Sequence, residues 1–461
     1  MGNAISLSPS PSLFDVNSCP AGGCGFTISD SVTAGKNAIL AHWNSGCVYA
    51  PLVGTQGSLI LSGNGGHSSW GGNETYIYDI ATNAWSRRTE PFTDTRGDGD
   101  QTVYPGSIAG VAWNRPEAFY TPPWIKSQYT NSLVNITYGE FIDGTPLTIH
   151  TYDHPIYVPP NIGWGVGASG GMAYLFQSGV WPQSNSNPRG NHVLRFDDFN
   201  GATKGWHRIV DQSIQVSSGA DLPGAAVVYD TSRNRGWVIY KAPGVNYASY
   251  LNAVGSPVFG TITAPSSTEY RAIVNGCNTS ACYDSTNDWI LVVTQFGLAV
   301  LPLVSSGSTA WVIPSRSGVF WSSAAPWGFA APATPDGFGV HWIPSVGKYA
   351  VYAWGNPYND GAGGTGKNTI FWITPAGLTG TWDIQAETLN EPIGGIQGGA
   401  NRNPPGAHWK RFMAIQDKGY FLFFDDLQNM YRFESNVWSG GGGSPTSNLG
   451  HPVYKIIQKR G

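Results

Sequence analysis

Residues 59–87, LILSGNGGHSSWGGNETYIYDIATNAWSR, constrain the fold of this 461-residue chain more than any other stretch. An apolar run, Leu59-Ile60-Leu61, stops at Gly63-Asn64-Gly65-Gly66. A second run, Tyr76-Ile77-Tyr78, stops at residues 79–83, and a third opens on Ala84-Trp85. Strand-sized apolar runs cut by Gly, Asn and Asp specify antiparallel hairpins, because these residues accept turn dihedrals that β-branched residues refuse. The stretch reads as strand, turn, strand, turn, strand, with no helical period.

The glycine pair Gly65-Gly66, the strand end Tyr78-Asp79 and Trp85 seven positions after Tyr78 resemble the kelch repeat, the blade unit of galactose-oxidase-like β-propellers. The resemblance implies an all-β chain of about six four-stranded antiparallel blades, or seven if residues 106–148 hide one. The first blade is expected from residues 39–43, 58–62, 74–80 and 84–89. The second is expected from 150–158, 171–176, 192–197 and 205–210, where Trp206 echoes Trp85. A hairpin signature recurs at residues 227–240, 282–293 and 340–354: an aromatic strand end, a polar or glycine turn, then an apolar strand. Continuations at 298–304 with 310–313, and at 369–373 with 381–384, put Trp311 and Trp382 where Trp85 sits. The last blade takes 410–415, 419–424 and 429–433. Residues 452–458 are expected to return as its outer strand, beyond the linker at 440–443.

The domain reading is an N-terminal arm or cap at 1–36, a propeller at 37–435 with 90–148 as an insertion, and a glycine-rich linker with a C-terminal strand or tail at 436–461. The composition, 61 Gly, 32 Pro and 19 Trp with 12% charged residues, suits many tight turns between short strands with aromatic fillers. A net charge of −4 argues against a duplex-binding surface, so no sequence-specific nucleic acid is expected as a partner. No window reaches the roughly 18 apolar residues of a membrane span. The first twenty residues lack a basic segment followed by an apolar one and read as a leaderless start. Met1-Gly2 with Ser6 fits only the minimal myristoylation pattern.

Several clusters were weighed for chemistry. The segment GAGGTGKN at residues 361–368 mimics a phosphate-binding loop, but Asn368 replaces the magnesium-binding hydroxyl and TIFWI follows as a strand, so nucleotide binding is not expected. The galactose-oxidase resemblance raises radical-copper chemistry, with His154 beside Tyr152, His341 and His408 as candidates; none stands in a family motif. Asp94, Asp98 and Asp100 in DTRGDGD are candidate calcium ligands, yet the distal Glu of known loops is missing and a solvated turn is the simpler reading. Cys277 and Cys282 are spaced for a small disulfide loop, leaving Cys19, Cys24 and Cys47. The structural residues are therefore Gly65, Gly66, Tyr78, Trp85, Trp206, Trp311 and Trp382, with no catalytic residue and no cofactor assigned.

Few charges, many Trp and abundant Gly are the vocabulary of an exposed β-protein, yet the first residues read as a leaderless start. Virion proteins reconcile the two. The expectation is a non-catalytic structural propeller of a virion, such as a phage tail nozzle or hub. It would assemble in the host cytoplasm with other subunits as a homo-oligomeric ring. The alternative is a secreted carbohydrate-binding or galactose-oxidase-like protein that meets surface glycans.

Overall fold

The computed structural model describes residues 2–16, 46–62, 74–89, 134–135, 140–141, 144–146, 151, 153–175, 191–209, 221–242, 245–254, 259–263, 279–294, 297–303, 311–318, 338–353, 369–390, 409–425 and 429–438. The chain opens with a strand, β1 (Gly2–Leu7), and one helical turn, α1 (Leu13–Val16). The first sheet follows as β2 (Cys47–Ala50), β3 (Ser58–Ser62), β4 (Thr75–Asp79) and β5 (Ala84–Thr89), antiparallel and in sequence order. A two-stranded ladder, β6 (Val134–Asn135) with β7 (Glu140–Phe141), lies within the expected insertion. The second sheet is β8 (Ile156–Val158), β9 (Gly171–Tyr174), β10 (His192–Arg195) and β11 (Trp206–Arg208). The third is β12 (Asp221–Asp230), β13 (Arg235–Ala242), β14 (Val245–Asn252) and β15 (Phe259–Thr263). The fourth has β16 (Ser280–Asp284), β17 (Trp289–Thr294) and β18 (Gly297–Pro302), extended by a bridge from Val300 to Val312. After β19 (Ser315–Gly318), the fifth runs β20 (Gly339–Ile343), β21 (Lys348–Ala353), β22 (Thr369–Thr374) and β23 (Thr381–Asn390). β19 pairs in parallel with β23. The sixth is β24 (Phe412–Ile415), β25 (Tyr420–Phe424) and β26 (Met430–Glu434), completed by β1 antiparallel to β26.

Turn chemistry explains why these runs fold back where they do. In the hairpin after β12, the carboxylate of Asp230 accepts the amides of Ser232 and Arg233, both at 3.0 Å, and Asn234 takes a left-handed φ of 50°. Asp284 repeats the device with Thr286 and Asn287, and Asp79 does so with Ala81 and Thr82. Asp and Asn side chains stabilise such turns by bonding backbone two or three residues on. The corresponding left-handed residues of the fifth and sixth sheets are Gly347 and Gly419, at φ 63° and 72°, where a Cβ would be strained.

The sheets close on themselves. β2 touches β8, β8 touches β12, and contacts continue through β16, β20 and β24 back to β2. Each buried apolar cluster sits between two consecutive sheets. One joins Val48 and Ile60 of the first sheet to Met172 and Leu194 of the second, and another joins Tyr352 and Trp372 of the fifth to Phe412 and Phe423 of the sixth. The last joins Met413 and Phe424 of the sixth to Leu59 and Trp85 of the first. Radial sheets whose first strands surround a common axis are a β-propeller.

The structure changes three details of the sequence reading. The first strand of the first sheet is Cys47–Ala50 rather than residues 39–43, which lie outside the described residues along with 452–458. The outer strand of the sixth sheet is Gly2–Leu7, so the start of the expected arm is part of a sheet. A strand edge is satisfied by whichever segment supplies matching backbone groups, and sequence order does not decide which segment that is. Finally, of the strand expected over 150–158 the structure forms β8 only from Ile156 to Val158, and Asp153 instead makes an isolated bridge to Ala226.

Candidate functional site at the ring axis

Thr151, Asp153 and His154 stand just before β8, and Thr151 and Asp153 tie the second sheet to four others. The Thr151 hydroxyl oxygen accepts the amide of Gly46, just before β2, at 2.8 Å. Asp153 forms a parallel bridge with Ala226 of β12, and its carbonyl accepts the Val227 amide at 3.0 Å. One Asp153 carboxylate oxygen accepts the Ala281 amide of β16 at 3.0 Å, while the other meets Lys410 Nζ at 2.9 Å. Lys410 belongs to the 3-10 turn Trp409–Arg411 that leads into β24. The segment is a strap at the axis, bonded to the first, third, fourth and sixth sheets.

The surroundings set its electrostatics. Asp153 is 3% exposed, and burial pushes its carboxyl up to about 6 against the opposing pull of the Lys410 ammonium and the Ala281 N–H. Burial pulls His341 down to about 4, although its Nε2 lies 2.6 Å from the Phe412 carbonyl. Burial likewise raises the Cys282 thiol, with the nearby charge of Asp284 adding to it. At neutral pH the Asp153 carboxylate therefore faces Lys410, with a neutral His341 imidazole on the fifth sheet and a neutral Cys282 thiol between the fourth and fifth. Both Asp153 oxygens are engaged by protein donors, an arrangement that fixes backbone position.

The expected structural tryptophans fall in register. Trp85 and Trp382 are the second residues of the fourth strands β5 and β23, Trp206 is the first of β11, and Trp311 precedes the bridging Val312. All four are buried, and each belongs to the cluster shared with the preceding sheet. Tyr78 packs at 5.4 Å from Trp85 and donates its hydroxyl to Asn83. Trp438 plays the corresponding part between the fifth and sixth sheets, 4.5 Å from Phe421. Sequence reasoning missed it because it stands in a turn and not in a strand.

Gly65, Gly66, Asp94, Asp98, Asp100, Tyr152, Cys277, His408 and residues 361–368 lie outside the described residues. The segment after the phosphate-loop mimic, Thr369–Thr374, is a strand, so the helix that such a loop requires does not follow. The expected Cys277–Cys282 disulfide is corrected: Cys282 is a free thiol, buried with Trp289, Trp342 and Trp382 between the fourth and fifth sheets. Its place in β16 turns the side chain into that interface. His154 is fully buried in the strap and His341 bonds across to the sixth sheet. Among the described residues, no three His, Cys, Asp or Glu side chains converge as a metal site.

No family model and no curated protein matches the chain. Among solved structures it is similar to a GH43 glycoside hydrolase engineered to display endo-xylanase and exo-arabinofuranosidase activity, at TM-score 0.32 and 13% identity over 59% of this chain. The match covers 47% of that hydrolase chain, so this chain spans about half of it. It is also similar to TolB from Acinetobacter baumannii, at TM-score 0.27 and 11% identity over 80% of this chain and 79% of that one. Both are β-propellers. No helix among the described residues is long and apolar enough to cross a membrane.

Proposed function

We propose that this chain is a non-catalytic structural propeller that serves as a rigid subunit of a larger assembly. The supporting observation is the strap: a buried Asp153–Lys410 pair toward the sixth sheet, together with amides received from the first, third and fourth sheets, ties the ring across its middle. A carboxylate held by an amide and an ammonium is committed to holding sheets together. We read each of the six sheets as one blade of kelch type. The finer placement, a virion subunit such as a phage tail nozzle or hub, rests on composition: 12% charged residues, 61 Gly and 19 Trp. Cyclic homo-oligomers close through heterologous interfaces, which accommodates a ring of copies.

Native mass spectrometry and light scattering of the purified chain test this reading, and a defined cyclic oligomer is expected. A monomer at micromolar concentration, or copper-dependent oxidation of sugar alcohols, would overturn it. Saturable binding on a glycan array by a monomer would favour the carbohydrate-binding alternative.

A further inference from the structure

The penultimate residue of the innermost strand is aromatic in five of the six sheets: Tyr49, Tyr157, Tyr229, Tyr283 and Trp342. In the sixth sheet the same position is Ala414. These aromatics share a direction. Tyr49 of the first sheet donates its hydroxyl to Asp417, in the first turn of the sixth, at 2.7 Å. Tyr157 of the second packs, with Val53 from the first sheet's turn, against the cluster joining those sheets. Tyr229 of the third sheet meets Trp164, in the first turn of the second, edge to face at 6.0 Å. Tyr283 of the fourth donates to Ser232, in the first turn of the third, at 2.7 Å. The indole N–H of Trp342 in the fifth reaches Thr286, in the first turn of the fourth, at 3.3 Å.

The sixth sheet, with Ala414 at this position, sends Trp438 instead. Its indole N–H donates to Ser345, in the first turn of the fifth, at 3.1 Å. The substitution preserves the direction and completes the circuit.

We propose that these six aromatics form a directed cyclic latch, in which each is sent toward the first hairpin turn of the sheet before its own, while the third sheet's turn also reaches forward through Arg233, whose guanidinium donates to Asp288 in the fourth sheet's turn at 2.7 Å. The direction follows from geometry: each ring projects from the end of an innermost strand, or in one case from the end of the last, toward the neighbour that precedes it. The turns themselves are short, with left-handed residues at Asn234, Asp288, Gly347 and Gly419, and their amides depend on local hydrogen bonds. An anchor from the adjacent sheet fixes them from outside. The inference does not depend on the function proposed above, because it concerns how one propeller holds its turns.

Hydrogen exchange resolved by peptide separates a directed latch from undirected packing. Tyr49→Phe deletes only the donor and Trp438→Phe keeps a smaller aromatic filler while deleting it, so both variants should fold. A hydrogen bond to a carboxylate is worth about tenfold or more in an opening equilibrium and a neutral one about fivefold. Tyr49→Phe should therefore speed exchange about tenfold at residues 416–419, where Lys418 and Gly419 amides bond Ile415 O. Trp438→Phe should speed it about fivefold at residues 344–347, where Val346 and Gly347 amides bond Ile343 O. Turns in the other sheets should exchange as in the parent. Unchanged exchange at the preceding turn would overturn the latch, as would an equal rise at residues 159–170 when Tyr49 is changed.

Discussion

The interface between the fourth and fifth sheets and the one between the sixth and first are built around the same kind of residue and held by different means. At the former, Trp382 is fully buried, stacks on Trp289 at 5.8 Å and on Tyr349 at 5.7 Å, and donates its indole N–H to Gly377 O at 2.7 Å. At the latter, Trp85 holds the same place in its sheet, but its indole N–H meets the thioether of Met430, a weak acceptor. The fourth and fifth sheets follow one another along the chain. The sixth and first are its two ends, brought together without that help. Residues 2–16 supply the missing tie. β1 pairs with β26 and, over Gly2 and Asn3, with β23; Pro11 O accepts the Trp85 amide at 2.9 Å, and Leu13 enters the cluster beside Trp85. Where the chain is continuous, packing is joined by bonds such as that from the Tyr349 hydroxyl to Asp284, at 2.6 Å, whereas the closing seam recruits a strand from the start of the chain.

The comparison breaks most severely if the tie is removed. Deleting residues 2–7 strips the outer strand from the sixth sheet and bares backbone groups of β26 and β23. The loss should exceed the ~3–5 kcal/mol typical of a single large-to-small aromatic change. Thermal denaturation followed by circular dichroism should show a lower, broader transition; an unchanged midpoint would mean that the seam closes without β1.

Next in size are the paired fillers. Trp382→Ala and Trp85→Ala should each cost ~3–5 kcal/mol, with Trp382 toward the upper end because its deletion also strands a carbonyl and unstacks two rings. Urea unfolding of both variants checks the order, and a larger loss at Trp85 would reverse it.

The strap adds a pH test, since Asp153 bonds both the fourth sheet and the turn leading into the sixth. Its folded pKa of about 6 lies above the usual carboxylate value, so the native state binds the proton more tightly than the unfolded chain. The stability this contributes is fully present below about pH 4 and is lost as pH rises through about 6, by roughly 3 kcal/mol at most. Asp153→Asn should remove that slope. Melting temperatures of parent and variant between pH 4 and 7 measure it, and parallel curves would sink the assignment.

The smallest effect sharpens the role of the indole nitrogen. Among the described residues, the buried Trp206 Nε1 has no hydrogen-bond partner. Trp206→Phe should therefore cost less than about 1.5 kcal/mol, and less than Trp382→Phe, which abandons Gly377 O. Urea midpoints compared side by side decide it.

Much of the architecture was legible because its signals are local. Apolar runs ending in Asp, Asn or Gly placed the recurring hairpins, and the tryptophan spacing located the fourth strands from Trp85 through Trp382. The third and fourth strands of the third sheet were not placed. Their residues, Val245–Asn252 and Phe259–Thr263, carry no closing Trp to mark the register. Cys282 appeared to be half of a disulfide by spacing alone, yet strand alternation turns it into an apolar interface.

What the sequence determined by itself was the repeat: strand length, turn type and the aromatic near the end of five innermost strands follow from dihedral preference and alternation, which act over a few residues. The tertiary structure decided which distant groups meet. The antiparallel pairing of Gly2–Leu7 with Met430–Glu434, the bonds from Asp153 to Ala281 and Lys410, and the backward reach of Trp438 to Ser345 join segments far apart in the chain. No local preference encodes them. They arise because closing the ring leaves particular strand edges, buried charges and turn hydroxyls facing one another, and each buried polar group must find its partner there.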